Sequence, residues 1–239
     1  MAEMRKKGVI FDLDNTLFDA DRCYKIAEKQ VYLLLKKHVS DLSYSKFAQL
    51  YKSAKIETHR ELAGTASAHD RILYFQRIIE KLRLPLNPEL VIKLNIHYWK
   101  TVYSQIKPFP NVKKILKKLK QLGFKIAILS DLMTEIQTKK LHRLKIYPYI
   151  DVLVTSEEIG VEKPNPAMFL RVLNKMELLP NEAIMVGDSL ERDIEGAEAI
   201  GMQAVLISKK RRLLKNSTQY SKPTYVINDI RDIMKILNA

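Results

Sequence analysis

"GVIFDLDNTLFD" (residues 8–19) begins as an apolar, β-branched run and ends on two carboxylates, Asp12 and Asp14, with Thr16 just behind them. An apolar run without alternation reads as a strand covered on both faces, the pattern of a parallel sheet. Runs of the same kind recur at "FKIAILS" (124–130), "DVLVTS" (151–156), "AIMVGD" (183–188), "QAVLIS" (203–208) and "TYVIN" (224–228). Helical periodicity falls between them at 111–122, 134–144, 166–178 and 191–200. Strand and helix in alternation predict an α/β fold, a doubly wound parallel sheet with right-handed crossovers.

The first strand is separated from the second by about a hundred residues, far more than one crossover helix needs. Four amphipathic helices are predicted in that span, near 21–39, 44–57, 69–83 and 88–105. Leu33, Leu34, Leu35, Phe47, Leu50, Tyr51, Ile72, Leu73, Phe75, Ile78, Ile79, Leu90, Ile96 and Trp99 are expected to form their core. The insert is read as an α-helical cap domain over 18–106, closed by "IKPFP" (106–110), whose prolines end the last helix. The sheet domain then comprises 1–17 and 107–239.

With 46% hydrophobic residues over 239 positions, the chain can bury a substantial core. No apolar run approaches the roughly 18 residues of a membrane span. "MAEMRKKGVIF" at the start has no signal-peptide pattern, so a soluble, cytoplasmic protein is expected. The single cysteine, Cys23, excludes an intramolecular disulfide. Oligomeric state is left open.

The net charge of +14 raises the question of an anionic partner. Its lysine clusters are "KKILKKLK" (113–120), Lys139 with Lys140, and "KKRR" (209–212). In the first, Val112, Ile115, Leu116, Leu119 and Leu122 recur at helical spacing, which leaves the lysines on the wet side. Aromatic residues do not interleave with these runs as a single-strand platform requires. Nucleic acid is therefore disfavoured. A nucleic-acid-binding pseudoenzyme, or a phosphatase of nucleic-acid ends, remains the alternative reading of the charge.

Ligands of an open parallel sheet sit at the carboxyl ends of its strands. Those ends carry Asp12 and Asp14, then Ser130 and Asp131, then Asp188, while the third leads through "EEIGVEKPNP" (157–166) to Lys163. Asp12 and Asp14, two apart on an extended strand, leave it on the same side. Carboxylates gathered there repel unless a cation is supplied, and Mg2+ suits a site that keeps positions open for water and phosphate.

Taken together, "DLDNT" (12–16), "LSD" (129–131), "EKPNP" (162–166) and "GDSLERD" (187–193) resemble the four ordered motifs of the haloacid dehalogenase (HAD) superfamily, in its form with a helical (C1-type) cap after the first motif. The resemblance implies a Rossmann-like core and a Mg2+-dependent phosphomonoester hydrolase. It implies Asp12 as nucleophile and Asp14 as general acid and base. Ser130, Lys163 and Thr16 would form the phosphate-binding group, Thr16 also helping to fix the loop that carries Asp14. Asp12, Asp188 and the backbone carbonyl of Asp14 would hold the metal, and Asp193 would support it from behind. Phosphosugar mutases of the family carry a histidine where this chain has Tyr24, which argues against that activity. Specificity is expected from cap residues closing over the rim, among them Asp19, Arg22, Tyr24, His59, Arg60 and His69. The expected substrate is a small phosphorylated metabolite: a nucleoside monophosphate, phosphoglycolate or a sugar phosphate.

Overall fold

The structure is a computed structural model and describes residues 6–208 and 222–238. It divides into two compact units, Met1–Asp19 with Lys107–Ala239, and Ala20–Ile106. The "KKRR" cluster at 209–212 lies outside the described residues.

Ala20–Ile106 holds four long helices, α1 (Ala20–Leu35), α2 (Tyr44–Glu61), α3 (Arg71–Lys81) and α4 (Pro88–Gln105). Three of them start on a side-chain cap. Ser43, Asp70 and Asn87 accept from the backbone of Lys46, Ile72 and Leu90, satisfying N–H groups that a helix start leaves unpaired. Phe47, Leu50, Tyr51, Phe75, Ile78, Ile79, Leu90 and Trp99 are buried as expected, whereas Leu33, Ile72 and Ile96 face solvent. Three consecutive residues cover more than half the circumference of a helix, so of Leu33 to Leu35 only Leu35 is fully buried. Val31, Tyr74, Leu94 and Tyr98 take the inner positions instead. Arg71 is buried with them, its guanidinium 5.2–5.4 Å from the rings of Tyr24, Tyr74, Tyr98 and Trp99. His59 contacts Tyr74 Oη at 2.8 Å and packs edge-on against His69.

In the other unit, among the described residues, six parallel strands form one sheet. They are β1 (Gly8–Phe11), β2 (Lys125–Ser130), β3 (Val152–Thr155), β4 (Ala183–Gly187), β5 (Gln203–Ile207) and β6 (Tyr225–Ile227). Their order is β3-β2-β1-β4-β5-β6. The doubly wound α/β fold read from the sequence is the fold observed. From β1 the chain builds outward through β2 to β3, then returns to add β4, β5 and β6 on the other side. A reversal of this kind leaves a crevice outside the strand carboxyl ends, next to β1.

Both faces of the sheet are covered, which is why its strands are continuously apolar. On one face Val152, Ala127, Ile10, Met185 and Ala204 lie in register, packed against Met168, Phe169, Val172, Leu173 and Met176. Helix α5 (Val112–Gln121) buries Val112, Ile115, Leu116 and Leu119 while Lys113, Lys114, Lys117 and Lys118 are exposed. Leu122, expected on the apolar stripe, is exposed just past the helix end. Next come α6 (Thr134–Leu144), the single turn α7 (Ser156–Ile159) and α8 (Pro166–Met176).

The helix expected over 191–200 takes a different form: a π-helical turn over Leu190–Glu195 runs into a short α-turn over Gly196–Glu198. The carbonyl of Ser189 accepts from both Asp193 N (3.0 Å) and Ile194 N (3.2 Å), which widens the turn. Asp193 and Ile194 are consequently both buried, the second within the apolar core.

Ile10 sits at the centre of that core with no exposed surface. Ile10→Ala is expected to lower the unfolding free energy by about 2–5 kcal/mol in urea titrations. A loss below about 1 kcal/mol would contradict this packing.

Candidate active site

The β1 ladder stops at Phe11, and Asp12 adds one last bond, its N–H donating to Val186 O at 2.9 Å. The chain then turns. Leu17 N–H donates to Leu13 O at 3.0 Å, and Asn15 takes a left-handed φ of 65°, which asparagine tolerates better than most residues. The two carboxylates, expected on one side of an extended strand, meet different cations. Asp12 Oδ1 accepts from Lys163 Nζ at 2.7 Å, and its Oδ2 accepts from the Thr16 hydroxyl at 2.8 Å. Asp14 lies with both oxygens on Lys140 Nζ, at 2.8 and 2.6 Å. Thr16, expected to fix the loop around Asp14, is in contact with Asp12 itself.

Lys163 is placed by three constraints. Asn165 caps α8 by accepting from Ala167 N, Pro166 opens that helix, and Asp131 Oδ1 accepts from the Lys163 backbone N–H at 3.0 Å. The buried ammonium then donates to Asp12 and, at 2.6 Å, to Asp193 Oδ1. The other oxygen of Asp193 accepts from Ser189 N at 3.0 Å. Gly187 is required beside it, because a Cβ there would collide with the Asp193 carboxylate. Asp193 therefore stands beside Asp12, linked to it through Lys163.

Asp12, Asp188 and Asp193 each bring a carboxylate oxygen within 4.8 Å of the others. Burial raises the Asp12 pKa to about 7, the charges of Asp193 and Asp188 add to that rise, and Lys163 opposes it. Burial and the charge of Asp193 raise Asp188 to about 6. Burial alone would lower the Lys163 pKa, but Asp12, Asp193 and Asp131 outweigh it and hold the ammonium charged well above the usual lysine range. Three carboxylates lie about one ammonium, which contacts Asp12 and Asp193, so the trio when ionised carries negative charge in surplus. An all-oxygen donor set with that surplus fits a hard divalent cation. The side chain of Asp14 stands apart from this trio.

Ser130 ends β2 and is held by Gln137 of α6. The Gln137 amide also donates to the Asp131 carbonyl at 2.7 Å, which identifies that end as its NH2 group. Ser130 Oγ therefore accepts from Gln137 at 2.6 Å, and its own proton is free to point elsewhere. Burial raises the Asp131 pKa despite Lys163 nearby, and the partly exposed Arg192 guanidinium lies 3.6 Å from its second oxygen.

Two side chains of α6 at the site, Gln137 and Lys140, were not expected from the sequence. Lys140 was grouped with Lys139 as surface charge; Lys139 is exposed, but Lys140 has no exposed surface. The available signal was its place on the stripe Ile136, Gln137, Lys140, Leu141 and Leu144, the buried face of α6.

Residues 9–207 match the family model of haloacid dehalogenase-like hydrolases. The chain belongs to that family. A ribulose-1,5-bisphosphate 5-phosphatase from Halopiger xanaduensis is 37% identical over 199 residues, 83% of each chain. A glyceraldehyde 3-phosphate phosphatase from Methanopyrus kandleri is 29% identical over 97% of each. Among solved structures, a HAD hydrolase from Bacillus subtilis bound to magnesium superposes with a TM-score of 0.76 at 20% identity, covering 99% of this chain and 100% of that one. That likeness concerns the fold. A HAD phosphatase from Thermococcus onnurineus gives 0.71 at 25% identity, with 97% of each chain covered.

A raised Asp12 pKa has a measurable consequence for this HAD chain. Below about pH 7 the metal-free cluster holds a proton that a cation must displace, so affinity for a divalent ion falls as pH falls. Calorimetry in two buffers of different ionisation enthalpy is expected to show proton release on magnesium binding at about pH 6 and little at about pH 8.5. Equal proton release at both would show that the carboxylates are not coupled in this way.

Proposed function

We propose that this phosphoric monoester hydrolase of the HAD family is a magnesium-dependent phosphatase that acts on a small phosphomonoester through an aspartyl-phosphate on Asp12. The carrying observation is the buried Asp12 carboxylate, fixed by Lys163 on one oxygen and Thr16 on the other, in a cluster with Asp188 and Asp193.

An oxygen of Asp12 attacks phosphorus and the ester oxygen departs, taking a proton from Asp14. Asp14 then accepts a proton from the water that attacks the acyl phosphate, releasing phosphate and restoring Asp12. The Lys163 ammonium and the Ser130 hydroxyl receive the phosphoryl oxygens, where positioning and charge carry most of the catalysis. Asp12, Asp188 and the Asp14 carbonyl would hold the magnesium, with Asp193 adjacent. When bound, the ion offsets the negative charge of carboxylate and phosphoryl oxygens, allowing them to approach.

The relatives named above are phosphatases of ribulose-1,5-bisphosphate and glyceraldehyde 3-phosphate, and a further relative, from Aquifex aeolicus, is a phosphoglycolate phosphatase. They favour a sugar phosphate or a phosphoglycolate-like acid over a nucleoside monophosphate. The helical unit Ala20–Ile106 is read as the family's cap, to which substrate choice is assigned. The nucleic-acid alternative rests on net charge alone, and the buried Lys140 is no part of a basic surface.

A panel of phosphate esters with magnesium tests both chemistry and preference. Asp12→Asn is expected to lower p-nitrophenyl phosphate turnover about a thousand-fold or more with the circular dichroism spectrum unchanged. Excess chelator is expected to stop wild-type turnover and magnesium to restore it. Wild-type rates in the variant would remove Asp12 from the nucleophile's role, and turnover in chelator would remove the metal.

A further inference from the structure

Lys140 has the same fully buried status as the leucines around it, on a helix face built from Ile136, Gln137, Leu141 and Leu144. An unbranched apolar side chain of similar volume would fill that place without the cost of drawing an ammonium out of water. A buried ion pair is on average no more stabilising than such a replacement. Stability alone therefore does not account for a lysine here. What the ammonium does is geometric. It spans from α6 to the turn after β1 and meets both oxygens of Asp14, at 2.8 and 2.6 Å, while its Nζ lies 5.9 Å from the centre of the Phe18 ring.

Phe18 is itself tied down, bridged to Asp14 on one side and to Pro108 on the other. Asp14 shares that bridge through its backbone, while 21% of its side chain is exposed and its carboxylate lies beyond the end of β1. A carboxylate in that position keeps rotameric freedom unless something holds it, and misplacement by an ångström is enough to spoil a proton transfer. A chelating ammonium seated in the core removes that freedom.

We infer that Lys140 is a positioning residue for the proton-transfer step: its contacts to the Asp14 carboxylate keep that group in place, so that in the acid form one oxygen stays on the ammonium while the other carries the proton given to the leaving oxygen. The inference rests on the acid role proposed for Asp14. It concerns departure of the leaving group and leaves phosphate binding to Lys163 and Ser130. The demand on Lys140 is therefore greatest for esters whose alcohol leaves poorly without a proton.

Leaving-group dependence separates this from a structural role. β-Glycerol phosphate needs protonation of its alkoxide, whereas the nitrophenolate of p-nitrophenyl phosphate departs readily without it. Lys140→Met is expected to lower kcat/KM for the alkyl ester at least about ten-fold more than for the aryl ester. Competitive inhibition by inorganic phosphate is expected to change by less than about two-fold. In an Asp14→Asn background, Lys140→Met is expected to add no further loss, because its effect passes through Asp14.

Equal losses on both esters, or losses that multiply in the double variant, would overturn the inference. A selective loss in Asp14→Asn without one in Lys140→Met would overturn it while leaving the acid role of Asp14 intact. No selective loss in Asp14→Asn would instead refute that acid role. Should Lys140→Met not give the wild-type circular dichroism spectrum, Lys140→Gln is judged by the same two comparisons.

Discussion

Three carboxylates and one ammonium, crowded at the end of a buried sheet, set the terms for the rest of the molecule. Asp12, Asp188 and Asp193 approach within 4.8 Å, and Lys163 bridges two of them. Like charges at that range, largely removed from water, repel one another and work against the fold unless they are compensated. Each neighbouring feature reads as part of that compensation. Thr16 donates to Asp12, Ser189 N donates to Asp193, Asp131 anchors the backbone of Lys163, and Gly187 leaves the space Asp193 occupies. The surplus negative charge that remains suits the cluster to a divalent cation.

The sheet makes this crowding possible. Parallel strands with α/β crossovers put all their carboxyl ends on one rim, and the reversal of strand order beside β1 opens that rim to a ligand. A continuous apolar core on one face, running from Val152 across to Ala204, supplies the stability against which the charged rim is held. The widened turn at Leu190–Glu195 is the local adjustment that lets Asp193 enter the cluster while Ile194 stays in the core.

Helix α6 serves the rim from behind. Gln137 orients Ser130 and Lys140 holds Asp14, three residues apart and so on the same helical face. Ser130 and Asp14, to which the proposed function assigns phosphate binding and proton transfer, are thus referred to a single rigid element. A site assembled from the ends of several strands depends on such shared supports, because each strand end alone leaves its side chain free to rotate.

The sequence by itself determined the strands and their parallel pairing, because unbroken apolar runs alternating with helical periods have few other packings. It also determined which segments meet at the rim, since the carboxyl ends of parallel strands must gather there and Asp12, Ser130, Lys163 and Asp188 were already marked at those ends. Only the tertiary structure decided how the charges pair. Asp12 and Asp14, two residues apart, meet different lysines, Lys163 and Lys140. Lys140 is 126 positions from Asp14 in the chain, and the same letter that reads as surface charge beside Lys139 becomes a buried support. The physical reason is range: periodicity reports which face of a helix is buried, while the partner of a buried charge depends on contacts between segments that local pattern does not encode.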